Sequence, residues 1–532
     1  MNIYYLSMLE QPILIKRNGY MSNLYLLGLD IGTSSCKSII INENGEKVAS
    51  STTNYPIFHP KDNWSEQNPD DWWKATIKAI KKVVKKSKLN SNDIVSLGLT
   101  GQMHGLIALD DNNDVLRPAI LWNDQRTSQQ CSNIVSAVGG NDQLLKYTNN
   151  TMLNGYTAPK LIWLRENEPE IFEKIKIILN PKDFIRFKLT GKFATDVSDA
   201  SGTGLFNVKK RKWSKKLLNI LDIPEHILPP VYESTEVTGI VKKSICKALG
   251  LKEGIIVAAG GGDAVVQTTG TGLINKDVLG TTIGTAGIVS LGLNKYENNK
   301  DGNLQVFCNN EDNRWHIMGV NLSSGGAYKW YKDNLCRLEQ KKAIDNNRDV
   351  YSILDQEVNS ILSNDKKLIF LPYLIGERCP HPDPTARGSF IGLSLRHTHA
   401  DLTKAVQEGI IFNLRQIKDL IVELDPKIKI SEIRTSGGAS KSRTWKQIQA
   451  NIFQLPVKTV VGSSEGAAYG AALLAGVACN AWNDLEEAVS LLKVESVTLP
   501  DTSYKEYYNN LYKIYNKLYY VLKDTYKELF NL

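Results

Sequence analysis

The chain has 532 residues, more than one hydrophobic core ordinarily organises, so two large domains are expected. Its 42% apolar and 23% charged content is that of an ordinary soluble globular protein. The net charge of +8 is spread over lysine-rich helices, and no basic stretch is interleaved with aromatics, which argues against nucleic-acid binding. Seven scattered cysteines with no C-x-x-C spacing argue against a disulfide frame or a zinc site and fit a reducing cytoplasm. No apolar run approaches the roughly 18 residues that span a bilayer.

In chain order, residues 1–23 read as an N-terminal extension. Met21-Ser22-Asn23 looks like a natural start, leaving residues 1–20 as an upstream-start artefact or a disordered segment. Leu24 to Leu29 and Lys37 to Asn42 read as strands joined by a Gly32-Thr33-Ser34-Ser35 turn. Asn44-Gly45 then signals a hairpin into a third strand, Lys47 to Ser51. Asn68-Pro69-Asp70-Asp71 is a helix start, with Trp73, Ile77, Ile80 and Val84 on one face. Ile94 to Thr100 is strand-like and runs into Gly101-Gln102-Met103-His104-Gly105. There, His104 could donate to a sugar hydroxyl or be a locally satisfied core histidine. Trp122, Asn123, Asp124 and Arg126 follow a short apolar stretch, and aromatic face plus amide plus carboxylate suits a polyhydroxylated ligand. The alternative is a polar loop with a buried tryptophan. Helical patterns fill much of 126–230, with Gly155 to Lys160 as a connector.

The middle of the chain carries the most telling stretch. A buried-strand run, Ile255 to Ala259, stops at Gly260, Gly261 and Gly262, and Asp263 follows at once. Ile283-Gly284-Thr285-Ala286 then echoes Ile31-Gly32-Thr33-Ser34, each a tight turn that lets backbone N–H groups approach phosphate oxygens. Two similar turns in two halves suggest two related lobes facing one ligand. Downstream, Ser323 to Ala327 precedes an aromatic-rich helix, and Leu371 to Arg378 reads as a loop. Leu402 to Leu424 keeps a buried helical spacing, and Ile433 to Ser440 is a strand ending in glycines. Glu465 to Ala472 opens a small-residue helix able to pack closely. The tail, from Tyr504 through Tyr508, Leu511, Tyr515, Leu518, Leu522, Tyr526 and Leu529, reads as an amphipathic docking helix.

From Leu24 onward, these motifs in this order resemble the carbohydrate kinases of the FGGY family, most closely its xylulokinase branch. The resemblance rests on Gly28 to Ser34, Gly101 to Gly105, Ile120 to Asp124, Gly260 to Asp263 and the two family signatures around Gly155 to Asn167 and Gly388 to Glu408. It implies an α/β fold of two ribonuclease-H-like, actin-like ATPase domains with an interdomain cleft. The N-terminal domain would span 24–272 and the C-terminal, nucleotide-binding domain 273–532. The implied activity is ATP-dependent phosphorylation of D-xylulose to D-xylulose 5-phosphate, with ATP and Mg2+ required. By motif, Asp263 would be the general base and Asp30 would help hold magnesium, with Asp263 beside it. Met103, His104, Trp122 and Asn123 would contact the sugar. Thr33, Ser34, Gly284 and Thr285 would line the phosphate channel, and Gly325, Gly326, Gly437, Gly438 and Ala439 would shape the nucleotide pocket.

Three positions depart from the family pattern: Ala264 after the implied base, Gln125 in the tryptophan loop, and Gln407 where an apolar residue is usual. The first two touch the sugar side, so another ketopentose, a polyol or a related small metabolite is the rival substrate. A non-catalytic actin-like sensor is a second rival, opposed by the presence of both Asp30 and Asp263. Cys36, within the first turn, is expected to confer sensitivity to thiol oxidation. No membrane or nucleic-acid partner is expected, and a homodimer is left open.

Overall fold

The computed structural model describes residues 24–275, 277–361, 366–461, 463 and 465–532, so the reading of residues 1–23 lies outside the described residues. Strands β1 (Tyr25–Ile31), β2 (Ser35–Asn42) and β3 (Lys47–Asn54) form an antiparallel meander. Its second turn is set by the Asn42 side chain, whose Oδ1 accepts from the backbone of Asn44 and Glu46, while Gly45 takes a φ of 74°. Helix α1 (Pro69–Ser87) starts as its sequence predicts: Asn68 accepts from the Asp70 N–H and Pro69 takes the first helical position. The buried seam of α1 is shifted, however. Trp72, Ala75, Thr76, Ala79, Ile80 and Val83 face the core, while Trp73, Ile77 and Val84 are half-buried at its rim. The Trp72 indole donates to Gln67 Oε1 at 3.0 Å, and this bond seats Trp72 rather than Trp73 inside.

The meander joins β4 (Ile94–Gly101), which runs parallel to β1. After helix α2 (Thr157–Asn167), β5 (Val237–Ile240) and β6 (Ile256–Ala258) complete the sheet path β5-β6-β4-β1-β2-β3. The segment read as a connector, Gly155 to Lys160, is thus mostly the first turn of α2. Gly261 and Gly262 pair with the end of β4, and Asp263 opens helix α3 (Asp263–Thr269).

The second half repeats the plan. β7 (Val278–Ile283), β8 (Gly287–Leu293), β9 (Gln305–Cys308) and β10 (Trp315–Asn321) are antiparallel neighbours. Helices α4 (Gly325–Leu335), α5 (Arg337–Asp345), α6 (Val350–Ser360) and the long α7 (His399–Leu424) intervene. Then β11 (Glu432–Gly437) and, beyond α8 (Arg443–Phe453), β12 (Val457–Val460) add parallel strands beside β7. The cores β3-β2-β1-β4-β6 and β10-β8-β7-β11-β12 share one pattern of three antiparallel strands followed by two parallel ones. This is the duplicated ribonuclease-H-like arrangement.

Helix α9 (Ala467–Ala478) crosses back. It packs on β1, β4 and α3, so the C-terminal half supplies a layer to the first sheet. Its small residues permit this: a Cβ on Gly28 would stand 2.1 Å from the Ala468 carbonyl oxygen. After β13 (Val494–Thr498), which completes the second sheet at its β12 edge, α10 (Lys505–Asn531) docks on α7. Tyr508, Leu511, Tyr512, Tyr515 and Tyr526 are buried there, while Leu529, read as part of that stripe, is exposed.

Candidate active site

Two carboxylates meet where three strand ends lie side by side. Asp30, near the end of β1, pairs with Thr100 of β4, which in turn pairs with Gly261, two residues before Asp263. The glycine run is required here, because Gly260 has a φ of 70° and a Cβ would lie 1.9 Å from the Leu99 carbonyl oxygen. Burial pushes the Asp263 carboxyl up to about 6, opposed by backbone N–H groups of Ala264 and Met103 that bond its charged form. Asp30 is pushed up to about 7, first by burial and then by the charge of Asp263, with Lys37 acting the other way. Asp30 Oδ1 is buried without a hydrogen-bond partner among the described residues. A buried, unpartnered carboxylate oxygen beside a second acid is a hard, anionic pair of oxygens, and it fits a magnesium ion.

Each sheet contributes one tight turn, the first directly after Asp30. In the first, the Gly32 N–H donates to the Ser35 carbonyl at 3.0 Å; in the second, the Gly284 N–H donates to that of Ala286 at 3.0 Å. Thr33 is partly exposed and Ser34 fully so. Glu465, just before α9, holds the base of the first hairpin through Lys37 at 2.9 Å and Lys47 at 2.6 Å. The second hairpin rests on the start of α4, whose Gly325 and Gly326 N–H groups donate to the Gly284 and Thr285 carbonyls at 2.8 and 3.0 Å. Behind it opens a cavity of about 570 Å³ lined by Gly284, Thr285, Gly325, Gly326, Gly438 and Ala439, with Tyr328, Tyr351, Asp355 and Trp445. Gly437 instead ends β11, paired with Ile283.

On the other side of the acids, Met103, Ala264, Val265, Phe307 and Met318 make an apolar wall. His104 has a φ of 69°, and its Nδ1–H donates to the Gly202 carbonyl at 2.6 Å. Burial and the nearby Lys160 hold its pKa down to about 3. The ring is therefore neutral: its N–H is satisfied locally, the second of the two readings of this histidine, and the unprotonated Nε2 is left as an acceptor. Trp122 is 46% exposed and donates from Nε1 to Thr33 Oγ1 at 3.0 Å, which makes the tryptophan loop continuous with the first hairpin. Asn123 Oδ1 is buried without a hydrogen-bond partner among the described residues.

Several readings are corrected. Asp124 is fully buried, and its carboxylate accepts from Ser65 N–H at 2.7 Å and from the Arg126 guanidinium at 2.7 and 2.9 Å. Arg126 lies over the Trp64 ring at 3.5 Å. Asp124 is thus taken up in holding the loop and does not grip a ligand. Cys36 is buried in β2 with its thiol pushed up to about 12, mainly by burial, which makes it inert to oxidants rather than sensitive. Gln407 is buried and donates to Tyr328 Oη at 3.0 Å and Asp355 Oδ1 at 3.1 Å, wiring α7 to the cavity wall.

Sequence reasoning missed a supporting set. Lys160 of α2 is buried and donates to the carbonyls of His104 and Gly155 at 2.9 and 2.6 Å. Tyr156 stacks on His104 at 4.8 Å and accepts from Gln305 of the second lobe at 3.1 Å. Ser198 Oγ accepts from the Gly262 N–H at 3.0 Å and itself donates to Asp196, which pairs with buried Lys182 at 2.9 Å. Arg378, from a loop of the second lobe, is exposed, and its charge reaches His104 and Tyr156. Only the glycine-bounded turn at 101–105 hinted at this shell.

Residues 25–270 match the model of the N-terminal domain of the FGGY family of carbohydrate kinases, and residues 279–479 match that of its C-terminal domain. The chain is 35% identical to a xylulose kinase of Bacillus subtilis over 94% of this chain and 97% of that one. It is 36% identical to a xylulose kinase of Escherichia coli over 93% of this chain and 98% of that one. Among solved structures, it superposes on a ligand-bound xylulose kinase from Lactobacillus acidophilus with a TM-score of 0.85. Identity there is 28%, covering 95% of this chain and 99% of that one.

Proposed function

The chain belongs to the FGGY family of carbohydrate kinases, and from that premise we propose that it transfers the γ-phosphoryl group of ATP to the terminal hydroxyl of D-xylulose. The observation that carries the reading is the buried pair Asp263 and Asp30, with Asp30 leading into one of two matching hairpins and the other hairpin lining the glycine-rich cavity. Asp263, with its basicity raised by burial, takes the hydroxyl proton on its carboxylate. The hydroxyl oxygen bonds to the γ-phosphorus, the bond from that phosphorus to the β-bridging oxygen breaks, and ADP leaves.

Asp30, with Asp263 beside it, is the holder we assign to Mg2+, which when bound neutralises charge on the phosphates. Thr33 and Ser34 from one lobe and Gly284 and Thr285 from the other line the phosphate path. Gly325, Gly326, Gly438 and Ala439 shape the nucleotide cavity. His104 Nε2 accepts from a sugar hydroxyl, Trp122 and Asn123 close the sugar side, and Met103 and Ala264 keep water from the reacting atoms.

The assignment of D-xylulose rests on the 101–105 turn and on the xylulose kinases among the relatives. Ala264 and Gln125 favour keeping a second reading, a different ketopentose or a polyol, because both border the sugar side. A panel of ketopentoses, polyols and related small metabolites, assayed by ADP release with the purified chain, decides it. D-xylulose should give the highest kcat/KM, and a higher value for any other acceptor would replace it.

A further inference from the structure

Away from the phosphoryl-transfer site, the helices behind the nucleotide cavity bring three unlike ligand groups together. Cys336 links α4 to α5, Glu339 lies in the first turn of α5, and His399 is the first residue of α7. Cys336 Sγ, a Glu339 carboxylate oxygen and a His399 ring nitrogen all lie within 4.8 Å of one another. Tetrahedral zinc, with bonds of about 2.0 to 2.3 Å, sets its ligand atoms about 3.3 to 3.8 Å apart, so side-chain adjustments of about 1 Å would close the site.

Two further observations point to a cation. Glu339 is 5% exposed and makes no hydrogen bond among the described residues; Lys342 stands 3.9 Å away and His399 Nε2 3.7 Å. Its carboxylate oxygens therefore keep lone pairs to offer a cation. His399 is also set up as a ligand. Its Nδ1 faces Glu357 Oε2 of α6 at 3.1 Å, so that the Nδ1–H donates there and Nε2 is turned towards Glu339. A carboxylate fixing the tautomer of a histidine is the usual outer partner of a metal-bound imidazole. The Tyr331 hydroxyl, 3.2 Å from Nε2, marks the remaining side of the cluster.

We propose that Cys336, Glu339 and His399 bind one Zn2+ ion, with Glu357 orienting His399 and water or the Tyr331 hydroxyl in the fourth position. Sulfur, imidazole nitrogen and one carboxylate select a borderline-soft metal, not the oxygen-seeking Mg2+ of the kinase reaction. Binding breaks the Cys336 S–H bond and releases its proton to the buffer as the sulfur–zinc bond forms. Because α4 and α6 also supply Tyr328, Tyr351 and Asp355 to the nucleotide cavity, the ion would clamp that wall from behind. The cysteine spacing in the sequence gave no such sign, since only one cysteine takes part.

The test uses the full chain without a histidine tag, stripped with a chelator and titrated with Zn2+ and, separately, Co2+. One equivalent of Zn2+ should remain after gel filtration, with about one proton released per ion and a higher thermal midpoint. The Co2+ form should show a thiolate-to-cobalt charge-transfer band. Cys336→Ser should remove that band and His399→Ala should abolish retention. Glu357→Gln should weaken affinity about 10- to 100-fold. Circular dichroism and nucleotide binding report whether each variant is folded, and Cys336→Ala serves where Cys336→Ser is not. Substoichiometric zinc in the wild-type chain, or a charge-transfer band that survives loss of Cys336, would overturn the proposal.

Discussion

Asp263 follows three glycines because a Cβ at each would crowd a neighbour: the Leu99 carbonyl of β4 at Gly260, Asn310 at Gly261 and Met103 at Gly262. With its oxygens held by the Ala264 and Met103 N–H groups, it is fixed in place before any substrate arrives. Asp263→Asn should lower kcat by about 10²- to 10⁴-fold, the range of a lost general base, while ATP affinity measured by calorimetry stays within a few-fold. Unaltered turnover would remove Asp263 from the mechanism. His316 on β10 gives a second prediction at this scale. It is fully buried, neither ring nitrogen has a hydrogen-bond partner among the described residues, and burial holds its pKa down to about 4. The unfolded chain therefore takes up this proton first as the pH falls. Stability from this group is present above about 6.5 and is lost between there and about 4, by up to about 3 kcal/mol. In urea melts, His316→Leu should lose less stability than the wild type over that window, and equal acid slopes would refute the assignment.

Among the elements, α9 has the widest reach. Its run of alanines and glycines lets it lie against β1, which carries Asp30, and against α3, which Asp263 opens. The contact is at the limit of backbone approach. A Cβ on Gly98 would come within 1.8 Å of the Ala471 carbonyl oxygen, as one on Gly28 would crowd Ala468. Gly28→Ala should therefore destabilise the chain by about 1 to 3 kcal/mol or more, read from denaturant midpoints, through overpacking. A variant as stable as the wild type would mean that α9 can slide. Legibility in the sequence follows the same logic. The hairpins, the Asn68 cap, α7 and the tail helix were readable because a turn residue or an apolar period lies within a few positions. The α1 seam was misread by one residue because the Trp72–Gln67 bond, not periodicity, chose which tryptophan goes inside.

At the scale of the whole molecule, two lobes share one strand plan, and both acids, Asp30 and Asp263, belong to the first. Arg378 of the second lobe carries a charge that reaches His104 and Tyr156 of the first, and its guanidinium makes no hydrogen bond or ion pair among the described residues. Arg378→Ala should lower kcat/KM for the sugar about 10-fold with ATP affinity unchanged. An unchanged kcat/KM would place this loop outside the reaction. No helix among the described residues is long and apolar enough to cross a membrane.

The sequence by itself determined the two turns, the acid after the glycines, the duplicated α/β plan and the family, because each is written in residues next to one another. Tertiary structure alone decided that the Ser65 N–H takes up Asp124 and that the Gly202 carbonyl takes up the His104 Nδ1–H. It alone drew Cys336, Glu339 and His399 to one point. Those outcomes depend on which distant groups compete for the same hydrogen bond or the same buried space, and residues far apart along the chain leave no local pattern by which to foresee it.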